Sequence, residues 1–444
     1  MAEIKKRERD AVLQSLQAGL VPRQGLHLIQ VGRKDEVLAT IQDLERIESG
    51  GAAFRVILGR FGSGKSFMLN LIRNSALQKK MVVVQADMSM ERRIHASGGE
   101  ARALYSELVK NLALKTKPDG GALRNLCEGW ISGIQSKVKS NGGTDEEVKR
   151  KIYEDLRDLQ DHVGGFEFAE VLAKYYEGYA IGSEEMQSAA LRWLRGEFTT
   201  KTDARHALGV RRIIDDENLY DSLKLLAAFC VKAGYAGLLV NLDEMVVLSH
   251  RLPSARARQS NYEAILTILN DCLQGTVKNL GFILAGTDEF LEDQRRGLYS
   301  YEALRSRLAQ NRFAGDGVKD FSGPVLRLQN MSPEDLFVLL SNIRHVHAYG
   351  VEAKYILPDE ALKAVLKKAS ETLGADYYKT PRDTVRSFVG LLNVVEQNPD
   401  RGWQSFLGDG FISKANKVVS TEEEIANGVT PPPDTEENLA TFKM

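Results

Sequence analysis

The chain has 444 residues, enough for two or three domains around a large buried core. It is 43% apolar and 27% charged with a formal charge of −1, an ordinary globular composition that gives no chain-wide attraction to nucleic acid. Cys127, Cys230 and Cys272 are odd in number, far apart and without CxxC spacing, which argues against a disulfide scaffold or a zinc knuckle and for reduced thiols in the cytoplasm.

The charged stretch Met1–Asp10 does not resemble a signal peptide, and no apolar run approaches membrane-spanning length. Periodicity predicts a helix over Lys5–Gln17 and a second over Asp35–Ile47, through Val37, Leu38, Ile41 and Leu44. Ser49-Gly50-Gly51 breaks the chain before Phe54-Arg55-Val56-Ile57-Leu58, a run of strand length. Next comes Gly59-Arg60-Phe61-Gly62-Ser63-Gly64-Lys65-Ser66, the P-loop pattern, and then Phe67 and an apolar helix. Strand, glycine loop and helix N-terminus together make an anion site. Gly59, Gly62 and Gly64 are expected to adopt positive φ so that N–H groups point at phosphate. Lys65 would meet the β- and γ-phosphates of ATP, and the Ser66 hydroxyl would meet Mg²⁺.

Met81–Asp87 reads as the next strand. From about Glu100 to Val231 the pattern is helical, too long for an ordinary crossover, and is read as an insertion; Lys137–Glu147, with its Asn-Gly-Gly, is expected to be an exposed loop. Tyr220–Lys232 is an apolar helix, and Gly237–Glu244 is a strand ending in two carboxylates. At the carboxyl edge of a parallel sheet, Asp243 would hold the metal and Glu244 would polarise the attacking water. Arg251, Arg256 and Arg258 follow in a stretch that could form a loop touching DNA phosphates, or simply a solvated loop.

Tyr262–Leu273 is helical, and Gly281–Thr287 is a strand. If that strand neighbours the Asp243 strand, the Thr287 hydroxyl reaches the γ-phosphate or the water. Tyr301–Gln310 is a short helix on which Leu304 and Leu308 share a face, while Arg305 and Arg307 diverge. After the strand Pro324–Leu328 the pattern is all-helical. Ser332-Pro333-Glu334-Asp335 is a capping box, Pro358-Asp359-Glu360 opens a second helix and Thr380-Pro381-Arg382-Asp383 a third. Arg382 in a first turn opposes the helix dipole, which hints at an anionic partner. After about Asn416 the tail is acidic and expected to be disordered.

In this order, the P-loop, Asp243-Glu244, Thr287, Ser306-Arg307 and Thr380-Pro381-Arg382 resemble the motifs of an AAA+ ATPase. Val31-Gly32-Arg33-Lys34-Asp35-Glu36 is similar to the VGR-x-x-E box that lies near adenine in that superfamily. The resemblance implies that Arg307 is a finger acting on a neighbouring subunit, as in clamp loaders and initiators, and that Arg382 is the sensor arginine of a lid. Four further stretches resemble the BrxD ATPases of BREX phage defence: Leu208-Gly209-Val210-Arg211-Arg212, Ala233–Val240, Ala285–Phe290 and Tyr301–Arg305.

These likenesses imply an α/β fold: a P-loop AAA+ core with a parallel sheet flanked by helices, a long helical insertion and a C-terminal helical lid. The expected layout is N-terminal helices and an adenine-proximal linker at 1–48, the ATPase core at 49–330 with its insertion at about 100–231, the lid at 331–415 and the tail at 416–444. The implied function is an Mg²⁺-dependent ATPase in the cytoplasm, binding ATP and ADP. It would act as a homo-oligomer or in an assembly with other defence proteins, and without a membrane. Two other readings are a nucleotide-gated binding module with little turnover and an initiator-like DNA-loading ATPase. Initiators carry a winged helix after the lid, and here an acidic tail stands in its place.

Overall fold

The computed structural model describes residues 3–311, 320–329, 331–373 and 381–408. Thr380 and the acidic tail lie outside the described residues. The elements in order are α1 (Lys6–Gln17), α2 (Leu26–Ile29), α3 (Lys34–Glu48), β1 (Ala52–Leu58), α4 (Lys65–Gln78) and β2 (Val82–Asp87). Seven helices follow: α5 (Glu100–Lys110), α6 (Leu123–Ser140), α7 (Asp145–Asp155), α8 (Gly165–Ala180), α9 (Glu184–Leu194), α10 (Lys201–Leu208) and α11 (Leu219–Lys232). Then come β3 (Leu238–Asp243), α12 (Ala255–Gln274), β4 (Leu280–Gly286), α13 (Asp288–Glu292), α14 (Glu302–Leu308) and β5 (Val325–Arg327). The last helices are α15 (Pro333–His347), α16 (Asp359–Leu373) and α17 (Pro381–Gln397).

The five strands form one parallel sheet in the order β2-β3-β4-β1-β5. β2 and β3 pair from Val82↔Leu238 to Asp87↔Asp243, and β3 and β4 from Leu238↔Leu280 to Leu242↔Leu284. The sheet is α/β in character, with strands buried on both faces and therefore apolar almost throughout. Its two faces are covered by different helices. On one, Phe282 of β4 meets Tyr220 of α11, ring centroids 6.0 Å apart. On the other, a side chain at Gly281 would run into Ile47 of α3 and Leu239 of β3. Leu239, Asn241 and Asp243 alternate onto this second face.

The described residues fall into two compact units. One holds Met1–Val37, Ile57–Leu71 and the described part of Leu326–Val429; the other holds Leu38–Val56 and Ile72–Val325. In the first, α1, α15, α16 and α17 close a core around Val12, Leu340, Leu362, Phe388 and Leu392, and Phe67 of α4 packs against it. Ser332 and Asp335 form the expected capping box at the start of α15, with Pro333 in the first turn. In the second unit the stretch from α5 to α11 is built of helices, apart from isolated bridges such as Ala113 to Val83 of β2. Phe229 of α11 ties it together, with Trp130 and Phe168 edge-on at 5.4 and 5.1 Å. No described helix is long and apolar enough to cross a membrane.

The helical stretch corrects one expectation. Lys137–Glu147 is not a loop: α6 runs to Ser140 and α7 starts at Asp145, leaving only Asn141–Thr144 between them. The lysines of α6 are on a helix end, and Thr144 and Glu147 make a capping box.

One buried ion pair stands out in the second unit. Arg55 is the single charged residue of fully buried β1, and it meets Asp43 of α3 in a two-pronged pair, Nε to Oδ2 at 2.8 Å and Nη2 to Oδ1 at 2.9 Å. Its Nη1 donates to the carbonyls of Phe321 and Gly323, at 2.9 and 2.5 Å. Burial pushes the Asp43 carboxyl above its ordinary range, against the pull of Arg55. Arg55→Ala should therefore cost about 3–5 kcal/mol in urea unfolding, because it strands a buried carboxylate. Asp43→Leu with Arg55→Met should recover much of that loss; a double variant as unstable as Arg55→Ala would show that the pair is not the cause.

Candidate functional site

In the first unit the site is built on the turn from β1 to α4. Gly62 and Gly64 have φ of +73° and +92°, as expected for a loop that turns successive N–H groups inward. Gly59 does not share that conformation, which corrects the expectation of positive φ there. It is glycine because a Cβ would collide with the Ser63 hydroxyl and lie 3.4 Å from Leu328. Lys65 is buried and folds back across the loop, its Nζ donating to the carbonyls of Gly59 at 2.9 Å and Arg60 at 3.2 Å. Ser66, one residue on, is exposed at the start of α4, and the buried Ser63 Oγ has no hydrogen-bond partner. Such an orphaned hydroxyl in a glycine loop fits an anionic ligand.

Two arginines brace this loop. Arg33, from the Val31-Gly32-Arg33 segment, takes a left-handed φ of +56°. Its guanidinium donates to the Ser63 carbonyl and, at 3.4 Å, to that of Gln329. It also fills the space beside Gly64, where a Cβ would meet Nη1 at 3.1 Å. Burial lowers the Arg33 pKa, and the carboxylates of Glu36 and Asp335 partly offset this. Asp335, the same residue that caps α15, lies against Gly32, whose φ is +64°. Arg33 is a residue that motif reading left without a role, since nothing in the sequence links it to Ser63. The second arginine is Arg382, in the first turn of α17. Its guanidinium lies 5.6 Å from the centre of the Phe61 ring, within cation–π range, and against Gly19.

In the second unit the polar groups gather at the carboxyl ends of β2, β3 and β4. Asp243 ends β3, and its Oδ1 accepts the N–H of Glu244 at 2.9 Å. Glu244 holds a φ of +56°, a conformation costing about 1–3 kcal/mol and found mostly at functional sites. β4 does neighbour β3, the condition on which the reading of Thr287 depended. Thr287 is 2% exposed and its Oγ1 has no hydrogen-bond partner. Asp87, at the end of β2, pairs in register with Asp243. Its side chain reaches solvent, yet the protein packed around the carboxyl group, and then the Asp243 charge, raise its pKa.

A family model described as BREX system ATP-binding protein BrxC/D matches residues 4–410. The chain belongs to this family. No curated protein is similar enough to count as a match. Family membership accounts for ATP binding and for a place in BREX phage defence. In this BrxC/D-family chain Arg307 lies on the exposed side of α14, with Leu304 and Leu308 turned inward, and its Nη1 donates to the Ala303 carbonyl at 3.0 Å.

The arginines after β3 do not form the loop expected of them. Arg251 ends a short π-helical turn, Val247–Arg251, and Arg256 and Arg258 belong to the first turn of α12, which Ser254 caps. Arg258 is buried, donating to the carbonyls of Leu252 at 2.8 Å and Pro253 at 3.2 Å. It serves the turn before α12 instead of facing a phosphate backbone. Arg256 is exposed on the same helix turn.

Proposed function

We propose that this BrxC/D-family protein is an Mg²⁺-dependent ATPase of the AAA+ class, a nucleotide-driven motor or switch within a phage-defence assembly. The observation that carries the reading is the β1–loop–α4 turn, with Gly62 and Gly64 in left-handed conformation and Lys65 drawn across the loop. Gly59 to Phe67 would cradle the phosphates, and Val31 and Gly32 would lie near adenine. Lys65 would exchange its two carbonyl partners for phosphate oxygens, a stronger, charge-assisted pairing. Ser66 and Asp243 are the residues suited to hold Mg²⁺, and the bound ion would neutralise phosphate charge. Glu244 would take the proton of the attacking water, with the Thr287 hydroxyl orienting the water or the γ-phosphate. Residues 331–415 would form the lid, 49–330 the core and 100–231 an insertion of that core.

ATP binding by fluorescence titration, with phosphate release measured with and without DNA, tests the proposal. Saturable binding with no turnover in any condition leaves a nucleotide-gated binding module. DNA-stimulated turnover that Arg256→Ala abolishes would favour the DNA-loading reading, which among the three arginines now rests chiefly on that exposed one.

Arg382 is assigned to sensing. Its stacking on Phe61 supports the assignment, because the side chain already reaches the phosphate loop and its start in α17 is opposed by the helix dipole. Arg382→Ala should leave the melting temperature within about 2 °C, as for a loss of at most about 0.5 kcal/mol at an exposed site. Hydrolysis or the preference for ATP over ADP should fall about tenfold, the ratio of about 1.4 kcal/mol of lost discrimination. Unchanged affinities for both nucleotides together with unchanged turnover would remove Arg382 from the site.

A further inference from the structure

We propose that Asp87 is the second carboxylate of the divalent-cation site built on Asp243, so that a hydrated Mg²⁺ arriving with ATP is held by the ends of two adjacent strands; this rests on the ATP and Mg²⁺ reading above. Asp87 and Asp243 are register partners on parallel strands, so their side chains leave the same face of the sheet from neighbouring positions. Two carboxylates so placed repel each other, and a cation between them removes the repulsion. One step inward on the same face the register partners are Gln85 and Asn241. Asn241 is 2% exposed in the middle of a core strand, and neither amide atom has a hydrogen-bond partner. Thr287, on the neighbouring strand's continuation, is equally buried with its hydroxyl unpartnered. Leaving such groups unpaired is costly, and by strand register and alternation both stand on the same face of the sheet as the two carboxylates, at the edge where the water shell of a bound ion would lie.

The chemistry of the pair selects the ion. Among the described residues no group of three or more His, Cys, Asp or Glu could hold a metal alone. A two-carboxylate site is therefore completed by phosphate oxygens and water, which is how Mg²⁺ is commonly bound. The alternative partner of Asp87 is Arg92, which attracts its charge. Arg92 is shared with Glu107, however, at 3.8 Å.

The test is the Mg²⁺ dependence of binding by the full chain, using a fluorescent ATP analogue in EDTA and across an Mg²⁺ titration. Asp87→Asn should raise the Mg²⁺ midpoint about tenfold while binding in EDTA stays equal or tightens, and Asp87→Glu should return the midpoint to within about threefold of wild type. Without nucleotide and in EDTA, Asp87→Asn should melt at or above the wild-type temperature, since it removes like-charge repulsion. A wild-type Mg²⁺ midpoint in Asp87→Asn, an equal loss in EDTA and in Mg²⁺, or a lowered melting temperature in EDTA would overturn the proposal. If the wild type binds the analogue in neither condition, the ATP reading itself falls and takes this one with it.

Discussion

Replacing Glu244 with glutamine should leave ATP binding within a few-fold of wild type and slow hydrolysis by about 10²–10⁴-fold, the usual contribution of a positioned general base. Glutamine keeps the size and hydrogen-bonding reach of the side chain and loses only the ability to take a proton. The backbone at Glu244 is in the left-handed region and its N–H is tied to Asp243, so the position is fixed by geometry that the substitution does not touch. Lys65→Ala should act differently. It removes a cation drawn across the loop by Gly59 and Arg60, and so weakens ATP binding itself. The two variants together separate ground-state phosphate charge from activation of water. Fluorescence titration reports the first and phosphate release the second. Glu244→Gln hydrolysing at the wild-type rate would mean that another group is the base.

What the sequence made legible was local. The β1–loop–α4 turn could be read because each of its parts is signalled within a few residues: a buried strand, glycines at positions needing left-handed φ, and a helix starting at Lys65. The same holds for Ser332-Pro333 and for the end of β3. Gly59 shows the limit of such reading, since its reason is a close approach to Ser63 and Leu328, the latter more than two hundred residues away. Arg33 and Asp87 were missed for a related cause. The first acts on Ser63, thirty residues on, and the second faces Asp243 only because β2 and β3 pair. The VGR-x-x-E box contains Arg33 but does not point to Ser63, and nothing beside Asp87 in the sequence marks it.

Misreadings had physical causes of the same kind. Asn141-Gly142-Gly143 suggested a loop over Lys137–Glu147, although those residues make only the tight turn between α6 and α7. Arg258 looked solvated in sequence, yet its guanidinium satisfies two carbonyls left over where the chain turns into α12. Arg55 sat in a run read correctly as a strand, but the partner that makes its burial tolerable, Asp43, lies on the preceding helix. Carbonyl and carboxylate partners of this kind are set by tertiary packing, which a pattern of apolar residues does not encode.

Arg307→Ala and Glu244→Gln should each be nearly inactive alone and should regain part of the activity when mixed. The expectation follows from reading Arg307 as a finger that completes the site of a neighbouring copy. The side chain stands on the exposed side of a short helix anchored by Leu304 and Leu308, at 0% and 1% exposure. Its base is steadied further by the bond from Tyr299 Oη to the Leu308 carbonyl at 3.2 Å. An arginine on so firm a base can be presented outward without the helix itself having to move. A guanidinium brought to the γ-phosphate stabilises charge that builds in the transition state, worth on the order of 10³–10⁵ in rate. Supplied by a second copy, it makes turnover per chain rise with protein concentration. In the mixture some interfaces pair an intact Glu244 with an intact Arg307, and those sites turn over. Arg305, displaced around the helix from Arg307, is the control, and Arg305→Ala should cost far less. If the two variants co-assemble by analytical ultracentrifugation and the mixture stays as inactive as its parts, Arg307 does not act across an interface, and a rate independent of protein concentration would say the same of assembly as a whole.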